Sequence, residues 1–353
     1  MRILIMGGAG FVGSNLSARL HEEGYEVLVM DNFARRGSEK NVRWLEKQGV
    51  EVQHGDIRNR EDFPSGDFYA ILDCAAQPSA IDGYDNPTYD FTNNTFGVLN
   101  ALEICKERGA GFLLWSTNKV YPQSAVHDQK ITEYDTRYTC EFPIDETCPL
   151  DGGDRSLYGA SKIMADLMTQ EWSDSFGFPA IVNRFSCLAG PRQWGKVEQG
   201  WVSWWVIAHH FGLPLQYCGF DGKQVRDILA IDDLCELIVR QLDTLGDKTW
   251  PEVYNVGGGN WSTLSLREAT ELTQNMTGNV VPITDAAERR ADFSVYVSDI
   301  SKVSEAYGWV PQNAAEELFE QIYEWVLENE DELGEMYLPS RKPLSIAPLQ
   351  AQG

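Results

Sequence analysis

Seven residues near the start of the chain, Gly7-Gly8-Ala9-Gly10-Phe11-Val12-Gly13, restrict its fold more than any other stretch. They follow the short apolar run Ile3–Met6 directly and lead into Asn15–Glu23, which reads as a helix that Gly24 stops. Gly7, Gly10 and Gly13 are spaced G-x-x-G-x-x-G. In a strand–turn–helix unit such glycines let the backbone turn tightly and approach a pyrophosphate at the positive end of the helix. Glycine alone is a weak signal, because any strand-to-helix turn can hold it. The second apolar run, Val27–Met30, ends in Asp31, 18 residues past Gly13. A carboxylate there can accept both hydroxyls of an adenosine ribose, and it repels a 2′-phosphate. Together these residues predict a dinucleotide site that prefers NAD to NADP. Arg35 and Arg36 are the opposing signal, since a guanidinium can hold a 2′-phosphate. No G-x-x-x-x-G-K-[ST] run occurs, which speaks against an ATP phosphate loop.

Further apolar runs at Val50–Gln53, Ala70–Leu72, Phe112–Trp115 and Ile181–Val182 read as strands. Helical stretches separate them; one beginning near Thr95 sets Val98, Leu99, Leu102 and Cys105 at helical intervals. Strands alternating with helices imply a parallel sheet covered on both faces, and unbroken apolar strands fit that burial. The expected class is α/β: a Rossmann-type doubly wound parallel sheet with a smaller mixed α/β substrate-binding domain. A length of 353 residues suits about two domains. Residues 1–185 are expected to bind NAD, with part of 225–260 returning to that domain. Residues 186–335 are expected mainly to bind substrate, and 336–353 to form a tail. Residues 122–156 break the rhythm with Pro122, Pro143, Pro149 and the Gly152-Gly153 pair. A loop of that length inside a domain is usually a lid or a binding loop.

Tyr158 and Lys162 stand four residues apart in a segment where Ile163, Met164, Leu167, Met168 and Trp172 recur at helical spacing and Gly177 can cap the end. On a helix the two share a face. A tyrosine titrates near 10, so work as a base near pH 7 requires lowering by about three units, roughly 4 kcal/mol. The Lys162 ammonium and a nicotinamide cation together can supply this. Ser116-Thr117 ends the fifth strand, at the edge where open α/β sheets bind ligands, so a hydroxyl there can hold the same substrate oxygen.

Composition closes off several classes. Lys plus Arg is 29 against 53 for Asp plus Glu, a formal charge of −24. Such a chain has no basic footprint for nucleic acid or an anionic membrane. The most apolar later stretch, Trp201–Leu215, is broken by Ser203, His209, His210 and Pro214, and does not suit a bilayer span. The seven cysteines are scattered, with no C-x-x-C pair, which suggests reduced thiols in a cytoplasmic protein and no zinc site.

Glycine loop, acidic ribose reader, strand-end hydroxyl and Y-x-x-x-K follow one another as they do in the short-chain dehydrogenase/reductase superfamily. The chain resembles its extended branch, the nucleotide-sugar epimerases and dehydratases, from residue 1 to about 310. The resemblance implies that Gly7, Gly10 and Gly13 line the pyrophosphate, that Asp31 reads the ribose, and that Phe11, Val12, Asn32 and Arg35 are also cofactor positions. It implies that Asp56 and Ile57 meet the adenine, that Ala75 and Ala76 flank the cofactor, and that Asn94 is the asparagine of N-x-x-G. Thr117, Tyr158 and Lys162 match the catalytic triad, the last two also touching NAD. Gln77, Asn118, Cys187, Gln199, Val202, Arg226 and Arg289 match substrate positions, the two arginines those that grip the diphosphate. A homodimer built on the Tyr158 and Thr95 helices is implied as well.

Finer runs, among them Ser116-Thr117-Asn118-Lys119-Val120-Tyr121, Thr136–Cys140, Gln199–Val202 and Gly222–Asp227, resemble the members that invert C2 of a CDP-linked hexose. The stretch Asp151–Leu157 departs from that type in a segment the resemblance places beside the sugar. The expectation is thus an NAD-dependent epimerase acting on a CDP-sugar or other nucleotide sugar. Inversion at C4 is the alternative. A dehydratase is less favoured, because Asn118-Lys119 stands where dehydratases carry Asp-Glu after the threonine. A non-catalytic NAD sensor is least favoured, because Tyr158 and Lys162 are both present.

Overall fold

Seven parallel strands form the central sheet of the computed structural model, which describes residues 1–79, 82–128, 130–196, 199–247 and 250–338. They are β1 (Arg2–Met6), β2 (Glu26–Asp31), β3 (Glu51–His54), β4 (Ala70–Asp73), β5 (Gly111–Thr117), β6 (Ala180–Phe185) and β7 (Glu252–Val256). Their order across the sheet is 3-2-1-4-5-6-7. The order reverses between β1 and β4, and ligands of such sheets sit beyond the strand ends at that point. Successive side chains of a strand point to opposite faces. Accordingly Ile3 and Ile5 enter one core with Leu16, Val29 and Leu72, while Leu4 and Met6 enter the other with Ile71, Val98 and Leu102. The six strands read from the sequence are all present. The first helix, Phe11–Glu22, starts four residues earlier than the pattern suggests. Gly10 holds its N-cap with no side-chain hydrogen bond, so the usual capping signal is missing there.

A second lobe lies over the ends of β5 and β6. Strand Val225–Ala230 is its axis, paired with Cys187–Ala189, Thr263–Ser265 and Val295–Tyr296. Leu215–Cys218 pairs with Ile283–Ala286 in a separate ribbon. Helices Trp201–Phe211, Leu266–Thr277 and Ala315–Glu328 share a core that includes Trp205, Ile207, Ala269, Phe319 and Ile322. The chain returns to the central sheet through helix Ile231–Asp243 and β7, and again through Val303, Tyr307 and Trp309.

Two expectations change. Residues 122–156 are not one loop: they hold helix Gln123–His127 and an antiparallel hairpin, Ile131–Glu133 with Tyr138–Cys140. Ile131, Tyr138 and Cys140 of the hairpin cover Val225, Val295 and Val297, which gives it an apolar reason to fold. Helix Glu330–Tyr337 runs through residues 336 and 337, where the tail was expected to begin; Leu333 on it is fully buried. The rest of the expected tail, residues 339–353, lies outside the described residues. Among the described residues no helix is long and apolar enough to cross a membrane, and no group of His, Cys, Asp or Glu could hold a metal ion.

Candidate active site

The glycine loop is built so that side chains are excluded. Gly7 has φ +68°, and a Cβ there would lie 2.5 Å from the Ala75 Cα; a Cβ on Gly13 would lie 2.4 Å from the Gly7 carbonyl oxygen. The loop thereby presses β1 against the end of β4 and aims the N-terminus of helix Phe11–Glu22 outward. Asp31, at the end of β2, accepts the Ala9 amide at 3.0 Å and the Phe33 amide at 2.7 Å. Burial raises its pKa, the two amides opposing.

Tyr158 and Lys162 sit on helix Leu157–Phe176, which Ser156 caps by accepting the Gly159 amide at 3.0 Å and Gly177 ends in the left-handed conformation. Tyr158 and Thr117 line one cavity, so the strand end and the helix do meet. Thr117 Oγ1 donates to Asn118 Oδ1 at 3.3 Å. The expected lowering of the tyrosine is not a property of the protein alone: burial pushes Tyr158 up to about 12, with Thr117 opposing. Burial lowers Lys162, with Asp73, Asp166 and Asp90 opposing. Lys162 Nζ is buried and has no hydrogen-bond partner among the described residues, and the same holds for Asp73 Oδ2. Burial lifts Asp73 to about 6, Lys162 opposing.

Beyond the triad opens a cavity of about 430 Å³ between the lobes. Gly10, Phe11, Val12, Arg35 and Ala76 line its cofactor side, and Thr117, Asn118 and Tyr158 its floor. Cys187, Gln199, Val202, Arg226 and Arg289 line the far side. Trp201 lines it too and donates to Cys187 Sγ at 3.4 Å. Arg35 Nη2 reaches Gln199 Oε1 across the cleft.

Several expected ligand residues are held by partners within the protein. Asn94 is fully buried as a clasp: its amide donates to the Gln77 carbonyl at 3.0 Å, Asp90 Oδ1 at 2.8 Å and Ser161 Oγ at 3.1 Å. Gln77 is turned into its own loop, donating to the Ser79 carbonyl at 2.9 Å. Asp56 is gripped by Arg58 at 2.9 and 2.6 Å and by Asn32 at 3.1 Å, and the Arg58 bond holds its carboxyl well below the usual range. Ile57 packs where a Cβ on Gly97 would lie 2.4 Å away. None of these side chains lines the cavity. Residues 151–157 do not line it either: Asp154 accepts the Ser124 amide at 2.9 Å and Arg155 donates to the Val120 carbonyl at 2.7 Å. Lining residues not singled out from the sequence as ligands include Lys119, Trp194 and Asp292.

The residues fit NAD. The cradle admits no Cβ, the helix N-terminus behind it lacks a side-chain cap, and the buried Lys162 ammonium is a donor that ribose hydroxyls would satisfy. Fold and site define a dinucleotide-dependent enzyme of the short-chain dehydrogenase/reductase type. A model of the NAD dependent epimerase/dehydratase family matches residues 3–257, and the chain belongs to that family. It is 34% identical over 344 residues to CDP-paratose 2-epimerase of Salmonella typhi, across 92% of this chain and 99% of that one. To a putative UDP-glucose 4-epimerase of Methanocaldococcus jannaschii it is 26% identical, across 93% and 99%. The UDP-glucose 4-epimerase of Thermotoga maritima, solved with UDP-glucose, superposes with a TM-score of 0.77 at 26% identity, covering 94% and 100%. That of Thermus thermophilus, solved with NAD, gives 0.76 at 27%, covering 92% and 98%. The protein is an NAD-dependent sugar-nucleotide epimerase, an isomerase.

Proposed function

We propose that this epimerase inverts C2 of a CDP-linked hexose. The observation that carries the reading is the 34% identity to a CDP-paratose 2-epimerase along nearly the whole of both chains. Residues 1–185, with the returning 225–260, form the cofactor lobe in this reading, and 186–335 mainly form the substrate lobe. Tyr158 Oη accepts the proton of the reacting hydroxyl, and Thr117 Oγ1 holds the same oxygen. Lys162 Nζ holds the ribose next to the nicotinamide and, as a cation, favours the phenolate. NAD, when bound, supplies reversible acceptance of a hydride from the carbinol carbon. The 2-keto sugar turns its other face within the cavity, and Tyr158 returns the proton to its oxygen.

The chemistry supports C2 oxidation over a detour. A ketone at C4 acidifies C3 and C5, not C2, so C4 oxidation offers no simple route to inversion at C2. Direct oxidation needs no additional acid–base pair for carbon, which agrees with Asn118-Lys119 after Thr117. Inversion at C4 is the second reading, favoured by the UDP-glucose 4-epimerases among the similar chains. The experiment is a panel of CDP- and UDP-hexoses followed by proton NMR of the products. A CDP-hexose inverted at C2 is expected; turnover confined to C4 of a UDP-sugar overturns the assignment.

The homodimer also belongs to this reading. Phe96, Met164 and Leu167 are exposed apolar side chains on or beside helices Gly97–Arg108 and Leu157–Phe176. Ile163 and Met168 pack inward, so they support the helix and not an interface.

A further inference from the structure

Lys119 stands two residues after Thr117, on the turn Asn118–Val120, and its amide donates to Thr117 Oγ1 at 3.3 Å. Its side chain lines the cavity but is only 18% exposed. The ammonium donates to Asp292 Oδ1 at 2.8 Å and to the Ala291 carbonyl at 3.3 Å, and lies 4.1 Å from the centre of the Phe293 ring. Asp292 Oδ1 is shared, because Arg226 Nη2 donates to it at 2.7 Å and the Phe293 amide at 3.0 Å. Arg226 is tied further to the Phe293 and Val225 carbonyls, each at 2.7 Å. All three charged side chains line the same wall, beside Cys187 and Arg289.

The charge count does not close. Among the described residues one carboxylate, Asp292, serves both Lys119 and Arg226, which leaves this trio at +1 in a mostly buried place, and buried charge is costly unless paired. A staple holding the turn to the 291–293 segment needs only one cation. The second cation is explained by an anion that enters the cavity. Asp292 stays ionised through the neutral range: against its burial, Lys119 and Arg226 hold its carboxyl well below the usual carboxylate range.

We propose that Lys119 contacts substrate together with Arg226, the two forming the seat of the phosphate on the sugar's anomeric carbon, and that Asp292 is the positioning residue that holds them side by side. The inference rests on the reading of the substrate as a nucleoside-diphosphate hexose reacting at C2, and it sharpens that reading. The C2 hydroxyl is vicinal to the carbon that bears phosphate, whereas the C4 hydroxyl lies across the ring from it. A cation rooted two residues from Thr117 suits a phosphate that stands next to the reacting hydroxyl.

The test is calorimetric titration of the NAD-loaded enzyme with CDP and with CMP, and with UDP and UMP in parallel. Lys119→Met should weaken the diphosphate about tenfold or more and the monophosphate less than about twofold, as loss of a charge-assisted bond predicts. Lys119→Arg should recover most of the difference. Asp292→Asn should raise KM for the nucleotide sugar more than it lowers kcat. If Lys119→Met does not fold, Lys119→Gln, which keeps a neutral donor for Asp292, serves instead, with melting temperature and NAD content as controls. Unchanged diphosphate affinity, or equal loss for CDP and CMP, overturns the proposal. These affinities do not depend on which carbon reacts. An enzyme that inverts C4 yet shows the gap would break the C2 reading and leave Lys119 in its role; C2 inversion without the gap does the reverse.

Discussion

Around Gly7–Gly13 the site is made of backbone: amides at a helix end, a turn at φ +68°, and contacts so close that a Cβ would collide. Across the cavity, at Lys119, Cys187, Arg226, Arg289 and Asp292, it is made of side-chain tips brought together from separate segments. The first kind of site recognises what every dinucleotide shares, a pyrophosphate and two riboses, so one short run of sequence suffices. In the proposed function the second kind recognises a sugar on a nucleotide, and it draws on residues up to 173 positions apart, the separation of Lys119 from Asp292. The triad joins the two, with Thr117 at the end of a sheet strand and Tyr158 on the helix packed against it.

The largest effect expected is at that junction. Tyr158→Phe keeps the ring but removes the proton acceptor, and turnover should fall by about 10² to 10⁴ while NAD content stays at the wild-type level. Near-normal rates would place the base elsewhere and dissolve the junction. Because burial, against Thr117, pushes Tyr158 up to about 12, an activity limb near neutral pH, rising as the phenol loses its proton, would report the charge of bound NAD and Lys162. A smaller effect concerns the outer face of the cofactor lobe. Light scattering of the wild-type enzyme should give twice the chain mass, and Leu167→Glu should halve it without loss of NAD. A wild-type monomer at micromolar concentration contradicts the dimer, and loss of NAD in the variant would show that Leu167 supports the fold.

The sheet and the glycine loop were legible in the sequence because each is a local constraint. Strands buried on both faces must be apolar throughout, and Gly7 and Gly13 stand where no other residue fits. The Tyr158 helix was legible from its spacing and from Gly177. The pKa of Tyr158 was not, since it depends on how deeply the helix is buried and on Asp90, which sits near it through tertiary contact. How Asn94, Gln77, Asp56 and Ile57 are held is not written in their motifs. Each stands at a family position, yet Asn94 and Gln77 are turned into a clasp beneath the triad, Asp56 into an ion pair, and Ile57 into the core. Asp292 carried no signal at all, because nothing in its local sequence tells that Lys119 and Arg226 converge on it. Lys119 could have been noticed, as a cation in the turn directly after Thr117.

The account stands or falls on where the hydrogen goes during inversion. A CDP-hexose deuterated at C2, incubated with the enzyme in ordinary water, should yield the C2 epimer with its label retained. The unlabelled substrate in heavy water should gain no deuterium at C2 or C3. This is the result expected if Tyr158 handles only the hydroxyl proton and the carbon-bound hydrogen returns to the carbon it left. Loss of label from C2, or solvent deuterium at C2 or C3, would mean that inversion proceeds by enolisation, and would contradict direct oxidation at C2.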